Sequence, residues 1–158
     1  MRNDVVLGEE ANKACLAAVP DVLETMFFEL LAATPDVGTL PPNGVLDSSR
    51  VDIEGGARGY LVVAAPSSVS TSLASAFLAI EDQSAPETNI EFVLGELANM
   101  ICGSALGRLQ PDGTFRISTP VTHLQRTLAE GSEPDCPWFQ FLLDDGPLYV
   151  GLKLEIPE

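Results

Sequence analysis

Two pairs of apolar, alternating segments joined by very short turns place the strongest limit on how this chain can fold. The paired segments are 45–53 with 58–65 and 138–143 with 148–156, and the turns are Glu54-Gly55-Gly56-Ala57 and Asp144-Asp145-Gly146. Alternation with a period of two residues, ended by glycine-containing turns, is typical of β-hairpins. Because no strand–helix–strand unit repeats along the chain, the hairpins predict a mainly antiparallel sheet.

Three further segments show the apolar spacing of amphipathic helices. They are predicted over about 9–33, 68–80 and 88–109. Pro20 lies inside the first segment and predicts a kink or a fresh helix start, because proline lacks the backbone donor that a helix interior uses. A fifth strand is predicted at 115–122, where Pro120 indicates a sheet edge or a bulge.

The order αββααβββ predicts an α+β fold in which three principal helices pack on a mainly antiparallel sheet. The segments 34–44 and 123–137 are rich in turn residues and are predicted to be long loops. The chain of 158 residues fits one domain, predicted over 1–158.

The charge balance limits the class of partner. The chain has 8 Lys and Arg against 23 Asp and Glu, a net charge of −15. Such a chain repels phosphate backbones and anionic lipid surfaces, so nucleic-acid binding and membrane association are not expected. A partner with a basic patch would be attracted.

The cysteines and the histidine favour a cytoplasmic protein without its own metal site. The three cysteines are far apart in the sequence, at Cys15, Cys102 and Cys136, and His123 is the single histidine. This spacing supports neither a disulfide framework nor a zinc site. The N-terminus shows no basic and apolar signal pattern, so we expect no secretory signal.

The third predicted helix carries the candidate chemistry. One face is apolar and predicted to face the core: Ile90, Val93, Leu94, Leu97, Ile101 and Ser104. The opposite face is predicted to hold Phe92, Gly95, Glu96, Asn99, Cys102, Gly103 and Leu106. Glu96 and Asn99 are three residues apart and therefore project side by side. Two interpretations are open: a carboxylate and a carboxamide that insert into another molecule's site, or a solvated face with incidental glycines.

The segment Gly95-Glu96-Leu97-Ala98-Asn99-Met100-Ile101-Cys102-Gly103 resembles the active helix of the chemotaxis phosphatases of the CheC/CheX type. Further segments resemble that family in the same order: 20–26, 59–63 and 117–121. The CheC type carries a Glu-x-x-Asn pair on two helices and the CheX type on one. In the first predicted helix, Phe27 follows Glu24 by three residues and Ala32 follows Glu29, so neither glutamate forms such a pair. The chain is therefore most similar to the single-site CheX type. That resemblance implies a homodimer and a CheX-like fold.

The resemblance also implies a function: dephosphorylation of the aspartyl phosphate on a CheY-like response-regulator receiver domain. Asn99 would orient the attacking water, and Glu96 would pair with the receiver's lysine. The receiver would supply magnesium, so no metal site is expected in this chain. Phe92, Gly95, Gly103 and Leu106 are the expected partner-binding residues.

Phe92 departs from the family pattern, which has Asp or Ser at this position. An exposed phenylalanine is compatible with an apolar anchor for a receiver. It is also compatible with a non-catalytic interaction domain of the same fold that binds a receiver or a related partner. A third possibility is a hydrolase that uses Cys102 or Ser104 as a nucleophile, although His123 lies on another predicted element.

Overall fold

The computed structural model describes residues 2–27, 31, 35–39, 42–78, 87–109, 113–128 and 136–155. The three helices are α1 (Arg2–Phe27), α2 (Ser67–Leu78) and α3 (Glu87–Leu109). The strands are β1 (Asp36–Thr39), β2 (Val45–Gly55), β3 (Arg58–Ala65), β4 (Phe115–Ile117), β5 (Val121–Thr127), β6 (Trp138–Leu143) and β7 (Gly146–Glu155).

The strands form one seven-stranded sheet in the order β1-β6-β7-β3-β2-β4, with β5 also paired to β2. The six strand pairings among the described residues are all antiparallel. The predicted hairpins are present as β2–β3 and β6–β7. The predicted α+β fold, with helices on a mainly antiparallel sheet, is therefore confirmed.

Strands β4 and β5 together form one interrupted edge strand along β2. Ile117 pairs with Ile53 and Val121 pairs with Arg50, so the break lies between them. In the break, the backbone N–H of Ser118 donates to Asp52 O at 2.9 Å, and Ser118 Oγ accepts from Asp52 N at 2.9 Å. The prediction that Pro120 marks a sheet edge or a bulge is confirmed, since proline fits where no ladder donor is needed.

The main core lies between the helices and one face of the sheet. Its fully buried members come from every layer: Val19 and Leu23 on α1, Leu73 on α2, Leu97 and Ile101 on α3, and Leu61, Phe139 and Val150 on the strands. The other face of the sheet carries a smaller cluster around Tyr60, Val62, Cys136 and Trp138. Helix α3 packs against both α1 and β2, so most of its surface is buried.

Two predicted loops contain strands. The segment 34–44 includes β1, which pairs with β6 across about 100 residues of sequence, and 123–137 includes the end of β5 through Thr127. Both strands are short or polar edge strands, whose pairing depends on a distant partner rather than on a local pattern. Residue Ile80, at the predicted end of the second helix, lies outside the described residues.

Pro20 lies inside α1, which is continuous from Arg2 to Phe27. The expected fresh start at Pro20 is therefore wrong. The buried stripe continues on both sides of the proline, with Cys15 and Val19 before it and Val22 and Leu23 after it. Packing of this stripe offsets the hydrogen bond that proline removes.

Helix α3 is long and apolar enough, over Asn89–Leu109, to cross a membrane by length and composition alone, with a mean hydropathy of 1.3. In the structure, 56% of that window is buried. Its apolar side chains, such as Val93 and Leu97, pack in the main core. The composition of α3 is therefore explained by its position between α1 and the sheet.

Candidate functional site

Four residues of α3 form a stripe on its solvent side: Phe92, Glu96, Asn99 and Gly103. Their spacings of four, three and four residues place them on one side of a helix. Phe92 is 56% exposed, Gly103 is exposed, and Glu96 and Asn99 are half-buried. The structure therefore brings Glu96 and Asn99 together on an accessible surface, which we call the α3 stripe.

The opposite side of α3 holds this stripe rigidly. Val93, Leu94, Leu97 and Ile101 are fully buried. Burial of side chains of this size stabilises the packed helix by about 1.5–3 kcal/mol each. The stripe is thus carried by a core element rather than by a loop, and its geometry is pre-organised.

A groove of about 390 Å³ runs beside the stripe, between α3 and the break in the β4–β5 edge strand. It is lined by Glu91, Phe92, Gly95, Glu96, Pro120 and Thr122. On its strand side, Thr122 Oγ1 lies 2.9 Å from Oγ of the buried Ser49, a hydrogen bond that fixes the Thr122 side chain. We call this feature the α3 groove.

Gly95 lies at the base of the α3 groove and is buried. A Cβ added at Gly95 would lie 3.2 Å from Cβ of Pro120, which is closer than most such contacts. The glycine therefore accommodates Pro120 of the same chain. The expectation that Gly95 lies on an open face is wrong, because the edge strand covers that side of α3.

Cys102 and Leu106 were also expected on the open face and are buried, at 1% and 3% exposure. The reason is that α1 covers this side of α3, so that α3 is buried by two neighbours rather than by the sheet alone. Leu106 is part of the main core. Its side chain is not accessible to a partner protein.

The candidate nucleophiles lack an activated environment. Burial raises the pKa of the Cys102 thiol to about 12, so the thiolate that would be needed for attack is scarce at neutral pH. Ser104 Oγ accepts a hydrogen bond from Arg108 Nε at 3.4 Å. His123 is exposed on β5, where its Nδ1 lies 3.3 Å from Nη1 of Arg126.

Phe92 is anchored by a row of aromatic rings that leads into the core. Its ring centroid is 6.5 Å from that of Phe77, and Phe77 stacks on Phe27 at 5.0 Å. Phe27 is fully buried. The exposed edge of this row is therefore fixed at the border of the α3 groove.

The polar groups of the site have no intramolecular partners among the described residues. In that part of the chain, no ion pair or side-chain hydrogen bond involves Glu91, Glu96 or Asn99. Likewise, the described residues contain no group of three His, Cys, Asp or Glu side chains that could hold a metal ion. Within the described part of the chain, no side chain competes with another molecule for these three polar groups.

The family model described as "Chemotaxis phosphatase CheX" matches residues 48–136, more than half of the chain. This chain belongs to the CheX family. The match begins within β2, ends after β5 and includes the whole of α3. The resemblance predicted from the α3 motif is therefore confirmed. No protein matches in the comparison with curated proteins.

Solved structures share the fold. A chemotaxis protein CheX from Desulfovibrio desulfuricans is 24% identical, with a TM-score of 0.76, covering 92% of this chain and 99% of that chain. The CheX of the CheX-CheY-BeF3-Mg²⁺ complex from Borrelia burgdorferi is 19% identical, with a TM-score of 0.73 and coverages of 90% and 96%. FliY from Thermotoga maritima is 16% identical, with a TM-score of 0.65 and coverages of 95% and 89%.

Within this CheX fold, three residues of the site were not anticipated from the sequence. Glu91, Pro120 and Thr122 line the α3 groove together with the predicted Phe92 and Glu96. The one indication in the sequence was Gly95, because a glycine inside a helix often marks a place where another segment approaches the backbone closely. The identity of the approaching residue depends on the tertiary fold.

Proposed function

We propose that this chain is a phosphatase that acts on the aspartyl phosphate of a CheY-like response-regulator receiver domain. One observation carries the proposal: in a CheX-family chain, Glu96 and Asn99 lie side by side on the accessible α3 stripe and have no partner among the described residues. A rigid helix that carries two polar groups without a partner in the described part of the chain fits insertion into another protein's active site.

Asn99 has the chemistry to position water. A carboxamide both donates and accepts hydrogen bonds and stays neutral at any working pH. Hydrolysis of an acyl phosphate needs a water in line behind the phosphorus, so the main contribution of the enzyme is orientation. In this proposal, the Asn99 amide holds that water, and no residue of this chain forms a covalent intermediate.

Glu96 would fix the register of docking. Its carboxylate is one helical turn from Asn99 and would pair with the lysine of the receiver's active site, a charge-assisted contact. Gly103, with no atom within 4 Å of an added Cβ, would let the receiver approach the α3 backbone. Magnesium, which was present in the Borrelia burgdorferi complex, would come with the receiver and neutralise charge on the phosphoryl group.

We further propose a cytoplasmic homodimer. The three cysteines are free, as expected for a reducing compartment. The dimer is implied by the CheX-type resemblance. Small-angle scattering at micromolar concentration tests it, and a scattering mass close to 16.8 kDa would contradict it.

Phosphate release from a panel of acyl-phosphorylated receiver domains tests the proposal. Wild type is expected to accelerate release from at least one receiver, while Glu96→Ala and Asn99→Ala lose most of the acceleration. Asn43→Ala, at an exposed asparagine before β2, is the matched control and should retain wild-type activity. If wild type leaves every receiver at its intrinsic rate, the phosphatase proposal fails.

A second candidate function is a non-catalytic interaction domain on the same fold. Phe92 favours it, because a 56% exposed aromatic ring stands where the resemblance expects Asp or Ser. Exposed aromatic side chains are enriched at protein interfaces. Tight binding of activated receivers without any loss of phosphate would favour this candidate over the phosphatase.

A further inference from the structure

The α3 groove combines two kinds of surface that a single side chain can satisfy. Phe92 and Pro120 provide apolar walls, and Glu91 and Glu96 provide carboxylates. Among the described residues that line it, none is a lysine, arginine or histidine. The groove is therefore complementary to a long aliphatic chain that ends in a positive charge.

The carboxylates of the α3 groove differ from several other carboxylates of the chain, which pair with arginines. Arg50, Arg108 and Arg116 form ion pairs with carboxylates of the chain itself, namely Asp52, Asp21 and Glu54. Within the described residues, Glu91 and Glu96 receive no such cation. In a chain of net charge −15, these two carboxylates are complementary to a partner's cation.

The proposed function uses one of the two carboxylates. Glu96 lies on the α3 stripe beside Asn99 and is assigned to the lysine of the receiver's active site. Glu91 precedes Phe92, is exposed, and lies at the border of the same groove. Its charge is not matched by that lysine and is not explained by the proposed chemistry.

We infer that the α3 groove binds a second basic side chain, Lys or Arg, from the surface of the partner receiver. Its aliphatic stem packs on Phe92 and Pro120, and its charged head pairs with Glu91. An aromatic face beside the cation adds a favourable cation–π contact. This inference rests on the proposed function for the identity of the partner, and it makes Glu91 and Phe92 determinants of which receivers bind.

Two small probes test the groove without any receiver. We would titrate ¹⁵N-labelled protein with hexylammonium chloride and, as an uncharged match, with 1-hexanol. Hexylammonium is expected to shift the backbone amide signals of residues 91–96 and 121–122 and to bind at least about threefold more tightly than hexanol, because only its head can pair with Glu91.

Glu91→Gln is expected to bring the affinity for hexylammonium close to that for hexanol. Glu24→Gln is the matched control: it changes the net charge equally, lies exposed on α1 outside the groove, and should leave both affinities unchanged. Equal binding of the two probes, shifts confined to other residues, or no shifts at 50 mM probe would each overturn the inference.

A second experiment measures the binding and the dephosphorylation of a receiver domain. For a receiver that wild type dephosphorylates, Glu91→Gln is expected to raise the Kd for its beryllofluoride-activated form by about three- to tenfold and to leave the maximal dephosphorylation rate unchanged. An unchanged Kd would overturn the inference while the phosphatase proposal stands. If no receiver is dephosphorylated but hexylammonium binds through Glu91, the phosphatase proposal fails and the groove assignment stands.

Discussion

At Gly103 an added Cβ would meet no atom within 4 Å, whereas at Gly95 it would come within 3.2 Å of Pro120. Two glycines on one helix therefore serve different neighbours. Gly95 is needed by the fold, because the edge strand approaches α3 there. Gly103 has no such role within the described chain, which leaves an approaching partner as the reason for a residue that weakens a helix.

Replacement of Gly103 is expected to change stability and activity in opposite directions. Gly103→Ala is expected to raise the free energy of unfolding by about 1 kcal/mol, the helix propensity gained at an exposed interior position. It should also slow receiver dephosphorylation, because the methyl group stands on the α3 stripe. Urea unfolding and phosphate release measure the two effects.

Gly107→Ala is the control for this comparison. It is also exposed, with no atom within 4 Å of an added Cβ, but lies a turn beyond the stripe. It should stabilise α3 to a similar or smaller extent at unchanged activity. A Gly103→Ala variant that dephosphorylates receivers at the wild-type rate would show that the receiver does not contact α3 at Gly103.

At the scale of elements, one buried carboxylate joins three parts of the fold. Asp47 on β2 is 2% exposed, and it accepts hydrogen bonds from Ser70 Oγ on α2 and from the backbone N–H of Gln125 at 2.9 Å. Gln125 has a φ of 54°, in the left-handed region, at the irregularity of β5. The Asp47 carboxylate therefore ties α2 and the end of β5 to the centre of the sheet.

Removal of the Asp47 carboxylate is expected to destabilise the fold. Asp47→Ala should lower the free energy of unfolding by roughly 2–4 kcal/mol, since two hydrogen bonds to a charged acceptor are lost. Asp52→Ala removes an exposed carboxylate paired with Arg50 and should cost only about 0–1 kcal/mol. Equal losses in urea unfolding for the two variants would refute the structural role of Asp47.

Elements with strong local patterns were predictable from the sequence. The predicted bounds 88–109 for α3 and 58–65 for β3 agree closely with Glu87–Leu109 and Arg58–Ala65. The burial of Cys102 and Leu106 was not predictable, because a sequence does not reveal how many neighbours cover a helix. For the same reason, the sequence indicated Glu96 and Asn99 but not the groove beside them, whose other wall comes from β4–β5.

At the scale of the whole molecule, two buried thiols make the fold sensitive to alkali. Burial raises the pKa of Cys102 to about 12, and burial together with the neighbouring Cys102 raises that of Cys15 to about 12, from an ordinary value of 9.0. Between pH 9 and pH 12 the unfolded chain therefore loses thiol protons that the folded chain keeps. Stability falls as pH rises through this window and is unaffected by these thiols below it.

Within that window, each thiol is expected to lower the free energy of unfolding by about 1.4 kcal/mol per pH unit. Urea unfolding at a series of pH values measures it. Because tyrosine, lysine and arginine also titrate there, the comparison is with a Cys15→Ala/Cys102→Ala double variant. That variant should lose stability less steeply above pH 9, and identical slopes would contradict the account.

The central claim is that Asn99 orients the attacking water for a receiver that docks on the α3 stripe. Single-turnover loss of phosphate from a receiver, with binding of its beryllofluoride-activated form measured in parallel, tests it most directly. Asn99→Ala is predicted to slow phosphate loss by about 100-fold, as expected when the attacking group is no longer oriented, while the Kd changes by less than about threefold. A wild-type rate of phosphate loss in folded Asn99→Ala would contradict the account.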